Sequence, residues 1–138
     1  MKEGEHAEMT GGHLKRDTDE HGRLIYYDAW ARYFVAYIEA YRKEGVDIWA
    51  VTPQNEPGHA EGARWDTCFW SAEWQREFVA DYLGPALAEA GLLDPEDLGA
   101  GVRLYVFDHN KIDALESVPV ILDDLAANRY VYGIAIHW

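Results

Sequence analysis

The run Val46-Asp47-Ile48-Trp49-Ala50-Val51-Thr52-Pro53-Gln54-Asn55-Glu56-Pro57 decides the fold, because an apolar, β-branched stretch ends abruptly in amides, a carboxylic acid and two prolines. Residues 46–52 read as a buried strand, which leaves Glu56 at its C-terminal end. In α/β architectures that edge collects catalytic side chains, held on rigid backbone and facing a crevice. Glu56 is therefore the first catalytic candidate.

Outward from this strand the chain alternates. Residues 1–27 are polar, with Gly11-Gly12 and His21-Gly22 as breakers, and read as loop. From Asp28, a suitable N-cap, apolar residues recur at Trp30, Tyr33, Phe34, Tyr37, Ile38 and Tyr41, predicting an amphipathic helix that packs this face onto a sheet and ends near Gly45. After the 46–52 strand comes a long loop, 53–70, with the aromatic cluster Trp65, Phe69 and Trp70; loops of that length in compact domains are usually functional. Ser71 can cap the next helix, whose face is Phe78, Val79, Tyr82, Leu83, Ala86 and Leu87, with a kink or restart at Pro85 and a stop at Gly91. Val102–Phe107 predicts a second strand running into Asp108-His109-Asn110. A helical region over 112–128, broken at Pro119, precedes a third strand over 130–136 that ends in His137-Trp138. Alternating helices and strands over 28–138 imply a parallel sheet, so three polar endings share one rim: Asn55-Glu56, Asp108-His109-Asn110 and His137-Trp138.

Composition narrows the partners. The 138 residues make one domain, and 49% hydrophobic residues supply a core. A balance of 25 acidic against 12 basic residues, net −13, disfavours nucleic acid and anionic bilayers, since no basic patch offsets it. No apolar run of about 18 residues predicts a membrane span. Cys68 stands alone, so neither an internal disulfide nor a Cys-based zinc site is expected, and it reads as a small buried apolar residue. Six Trp and nine Tyr suit the C–H faces of sugar rings as well as packing. No cofactor is implied, because no glycine-rich phosphate loop follows a strand. A metal site built from His6, His13, His21, His59, His109 and His137 lacks any His-x-x-x-His pair.

A glutamate beside an amide, with carboxylate, imidazole and indole arriving from neighbouring strands, suits glycosidic bond cleavage, where a carboxylic acid protonates the leaving oxygen. Partial burial or a second carboxylate would keep such an acid protonated near neutral pH. The run Trp49-Ala50-Val51-Thr52-Pro53-Gln54-Asn55-Glu56-Pro57 resembles glycoside hydrolase family 30, the glucosylceramidase-like enzymes. So do Trp65-Asp66-Thr67-Cys68-Phe69, Ala72–Phe78, Leu83–Leu87, Phe107-Asp108-His109-Asn110-Lys111 and Gly133–Trp138, with Met9–Leu14 and Trp30–Phe34 upstream.

The resemblance implies part of a (β/α)8 TIM barrel, about strands four to six, that cleaves β-glycosides or glycolipids with retention of configuration. It implies Glu56 as acid/base and Asn55 as partner of the sugar 2-hydroxyl. It further implies that Asp108 and Asn110 bind sugar and that His137 and Trp138 line the subsite of the cleaved sugar. Retention needs a nucleophilic carboxylate about 5–5.5 Å from the acid. In the family that glutamate ends the seventh strand, so the nucleophile is expected beyond Trp138, the isolated chain is expected to be inactive, and open barrel edges to favour self-association. Family habit implies secretion or a lysosome-like compartment. Plainer roles stand beside these: Glu56 and Asn55 as loop and turn residues, Asp108 and Asn110 as an Asx-turn and cap, His137 as a buried histidine, Trp138 as packing, and the loop aromatics as stabilisers. A non-catalytic carbohydrate-binding module remains the alternative function.

Overall fold

The computed structural model describes residues 2–3, 11–59 and 66–138. Met9, Thr10, His6 and Trp65, singled out from the sequence, lie outside the described residues. Two short antiparallel strands, β1 (Lys2–Glu3) and β2 (His13–Leu14), precede helix α1 (Ile25–Lys43). Strand β3 (Ala50–Val51) is followed by α2 (Ala72–Phe78), a π-helical turn (Val79–Leu83) and α3 (Gly84–Glu89). Strand β4 (Arg103–Asn110), a 3-10 turn (Lys111–Asp113), α4 (Ala114–Leu122), α5 (Leu125–Asn128) and β5 (Gly133–His137) complete the order. The main sheet runs β3-β4-β5 and is parallel throughout, as the alternation requires.

The core lies between this sheet and the helices. Leu104 and Val106 of β4 are buried with Phe78, Val79, Leu83 and Leu87, which form one apolar stripe through α2, the π turn and α3. Ser71 caps α2 by accepting from the Trp74 N–H at 3.2 Å. The chain restarts at Pro85 as expected, through a π turn in which the Gly84 N–H reaches back to Val79 O. Gly84 is required there: a Cβ would lie 2.3 Å from the Tyr130 ring. Arg16 ties the N-terminal segment down, donating to the Tyr27 hydroxyl and to Glu77, each at 2.8 Å.

Several elements differ from the sequence reading. Helix α1 starts at Ile25, with Leu24 rather than Asp28 at the cap; Asp28 lies in the first turn and pairs with Arg32 at 2.8 Å, complementing the helix dipole. Tyr33, Tyr37 and Tyr41 do not pack on the sheet but stand exposed in a row, while Tyr27, Ala31 and Ile38 face the core. Trp30 and Tyr33 stack with parallel rings 5.0 Å apart. The expected buried strand 46–52 is only Ala50–Val51 and is not buried, and Trp49 is 62% exposed. Among the described residues it pairs with β4 alone, Pro53 can donate nothing further, and no layer covers its other face.

Strand β4 runs past Phe107 to Asn110, because β5 continues to pair with it through His137. The third strand begins at Gly133 rather than residue 130, since the Tyr130 and Val131 N–H groups turn back to Ala127 and Asn128. Pro119 sits inside α4 without breaking it. The carbonyl it deprives of a donor belongs to exposed Leu115, where water can serve. The break falls at Asp123-Asp124 instead, with the Asp124 carboxylate capping α5.

On the face away from the helices, Trp49, Val51, Thr52, Tyr105 and Ala135 line an open concavity of about 480 Å³. Beside it, the Arg103 guanidinium lies 5.0 Å from the ring centres of both Trp49 and Tyr132. No helix among the described residues is long and apolar enough to cross a membrane.

Candidate active site

The C-terminal ends of the three parallel strands converge on one histidine. His137, ending β5, places Nε2 2.9 Å from Asp108 Oδ1 of β4 and Nδ1 3.3 Å from Glu56 Oε1 of the loop after β3. All three side chains are roughly four-fifths buried. Thr52, ending β3, donates its hydroxyl to the other Asp108 oxygen at 2.6 Å, and the Glu56 N–H donates to the Asp108 carbonyl at 2.9 Å.

The backbone is bent to achieve this. Among the described residues, three non-glycine positions have positive φ, namely Glu56 (48°), Phe107 (75°) and Asp108 (49°). Each such conformation costs on the order of 1–3 kcal/mol and persists where surrounding structure over-determines it. The pairing of β4 with β5 jumps from Phe107 to His109, so Asp108 is the extra residue of a bulge.

Hydrogen bonding to Asp108 raises the His137 pKa above the ordinary histidine value; burial opposes this and the bond to Glu56 adds to it. A carboxylate only accepts, so Asp108 fixes the proton of neutral His137 on Nε2 and leaves Nδ1 facing Glu56 as the acceptor.

The other predicted residues take different positions. Asn55 is exposed on the rim beside Glu56. Asn110 pairs with His137 in register, and its Oδ1 is buried without a hydrogen-bond partner among the described residues. It makes no side-chain cap to the following turn. Trp138 is 83% exposed and meets His137 edge-on, centroids 5.8 Å apart. Trp70 stacks on Tyr27 within the core, whereas Phe69 is partly exposed against Trp74. His109 points away from the rim, its Nε2 3.6 Å from Asp113. It borders a cavity of about 300 Å³ behind β4, lined also by Trp70, Gln75 and Phe107. Among the described residues no cluster of three or more His, Cys, Asp or Glu is arranged to hold a metal.

Sequence reasoning missed Thr52 and Gln75. Thr52 carried a weak signal as the last hydroxyl before the strand turns polar. Gln75 carried a clearer one, as an uncharged amide one turn before Phe78 on an otherwise apolar helix face. The bulge itself left only the consecutive apolar pair Val106-Phe107, where a strand with one buried face should alternate.

A family model described as the glycosyl hydrolase family 30 TIM-barrel domain matches residues 5–138. Putative glucosylceramidase 4 of Caenorhabditis elegans is 40% identical over 122 residues, covering 87% of this chain and 22% of that protein. Lysosomal acid glucosylceramidase of Mus musculus is 37% identical over 116 residues, covering 83% of this chain and 21% of that protein. Among solved structures, the endo-β1,6-glucanase BT3312 superposes with a TM-score of 0.75 at 38% identity, over 94% of this chain and 25% of that one. SrfJ from Salmonella typhimurium gives 0.76 at 29% identity, over 95% and 26%. The chain thus spans about a fifth of the length of the curated relatives it matches. The three-strand rim and the matches along nearly the whole chain have one conclusion: the chain belongs to glycosyl hydrolase family 30 and forms part of its TIM-barrel domain.

Proposed function

We propose that this chain carries the acid/base half of a retaining β-glycoside hydrolase acting on β-linked glucosides or glucolipids, with Glu56 as the general acid/base. The observation that supports this most is the Glu56–His137–Asp108 chain across three strand ends. In a double displacement the same carboxyl must give a proton to the leaving oxygen and later take one from water. Nδ1 of His137 accepts from protonated Glu56, and once that proton has gone to the leaving oxygen, a proton taken up from solvent makes His137 a donor to ionised Glu56. Asp108 has both oxygens committed, to Thr52 and His137, which suits an orienting carboxylate and not a nucleophile. The nucleophile therefore comes from a carboxylate outside these residues. Asn55, Asn110 and Trp138 flank the rim where a sugar would lie. Copies of the chain are expected to associate through the open edges β3 and β5 and the apolar concavity.

The test is hydrolysis of β-glucosides by the 138-residue chain alone and by a longer family 30 hydrolase whose matching segment it replaces. The chain alone gives no turnover. The chimera turns over, and Glu56→Gln lowers its rate by about 10²–10⁴-fold on alkyl glucosides, with a smaller loss on aryl glucosides whose leaving group needs no proton. Equal rates for wild type and Glu56→Gln on the alkyl substrate would refute the assignment. Binding of sugar by a chimera with no turnover would favour the carbohydrate-binding reading.

A further inference from the structure

Strand β4 contains an inconsistency of parity that one side chain resolves. Tyr105 faces the open concavity with Trp49 and Ala135, while Leu104 and Val106 face the helices. Regular alternation would send Asp108 toward the helices, since it lies an odd number of positions from Tyr105. Yet the Asp108 carboxylate meets Thr52 and His137 on the rim, while Phe107 and His109, which alternation would turn inward, border the cavity behind the strand. The bulge makes the difference. Its cost is the positive φ of Phe107 and Asp108, and the Phe107 N–H turns to a side chain from the helix layer.

That N–H is met by Gln75. Its Oε1 accepts from Phe107 N at 2.7 Å, and the residue is 1% exposed, one of two buried polar side chains among the described residues. A buried amide on a helix face shared with Phe78 and Val79 is unfavourable unless bonded, and the bond it makes goes to the first strained residue of the bulge.

We propose that Gln75 is a positioning residue for the acid/base site: from the opposite side of the sheet, it holds the bulge that turns Asp108 inward toward His137 and Glu56. The inference rests on the reading of Glu56 as acid/base only for its catalytic meaning, because the geometry can be tested without turnover.

The test is the NMR titration of the His137 imidazole in the 138-residue chain, with thermal unfolding recorded alongside. The groups facing His137 are Asp108, Glu56 and the Trp138 ring, so the titration reports where Asp108 points. Gln75→Met keeps length and volume but has no acceptor, and His137 is expected to fall to the value of an ordinary histidine in the folded variant. Gln75→Glu keeps the acceptor and is expected to retain the elevated value. An unchanged His137 titration in folded Gln75→Met would overturn the proposal. If that variant does not fold, Gln75→Asn, whose oxygen falls short of Phe107, is read in the same way. Folding of Gln75→Met with an unchanged His137 titration while Gln75→Glu fails to fold would make Gln75 a core residue only, and would also overturn it. Loss of the elevated titration with no effect of Glu56→Gln on the chimera would sink the acid/base assignment and leave the role of Gln75 standing.

Discussion

A histidine gripped by two carboxylates takes its charge state from both, and the two differ in strength here. The Asp108 bond is the shorter, at 2.9 Å against 3.3 Å to Glu56, and it is the larger cause of the raised His137 pKa. Asp108→Asn is therefore expected to lower the His137 titration more than Glu56→Gln does, which proton NMR of the imidazole will read. The sign of the stability effect follows. A folded pKa above the unfolded one means that protonation favours the folded state, so this contribution is fully present below about pH 6.5 and is lost as pH rises through the raised value. The melting-temperature gap between wild type and His137→Gln should narrow across that window. A gap that widens with pH would contradict the geometry. The three members of this chain were legible in the sequence because each follows an apolar run that turns polar. Thr52 and Gln75 were missed because each sits inside a predicted strand or helix rather than in a polar ending, and their bonds to Asp108 and Phe107 exist only in the fold.

At the scale of elements, boundaries obeyed hydrogen-bond accounting more closely than residue type. Pro119 was expected to end a helix and does not, since the carbonyl it leaves unpaired is exposed, whereas Asp124 starts a new one by capping Ala126 and Ala127. Pro85 did mark a restart, because the π turn before it absorbs the missing donor. That turn depends on Gly84 touching the Tyr130 ring. Gly84→Ala is expected to destabilise the chain by about 1–3 kcal/mol, as overpacking does in a well-filled core. Ser71→Ala, which removes the cap of α2, is expected to cost about 0.5–2 kcal/mol. Urea melts at fixed pH measure both, and a neutral Gly84→Ala would mean that Tyr130 moves aside freely. The shortness of β3 could not be read from its sequence, because the length of a ladder depends on its neighbours, and β3 has one among the described residues.

Among the described residues, the main sheet has three parallel strands with helices on one face and an apolar concavity on the other. This layering followed from the alternation of periodicities in the sequence, but which face would stay open did not, since Trp49 and Tyr105 have the composition of core residues. Sedimentation velocity should show concentration-dependent association. If Trp49 is an anchor buried at the centre of the contact, Trp49→Gln should weaken association by about tenfold or more. A wild-type chain that remains monomeric at high concentration would exclude that role for the concavity. The surface of α1 offers an independent signal for such an experiment. Trp30 and Tyr33 lie face to face at 5.0 Å with planes 1° apart, and Tyr33, Tyr37 and Tyr41 continue the row. Transitions of rings held so close couple optically, so this helix should carry its own near-ultraviolet circular dichroism band and an indole emission sensitive to whatever covers the row. A change in that band on association would place the contact on α1, and an unchanged band would place it elsewhere, with no label attached to the protein.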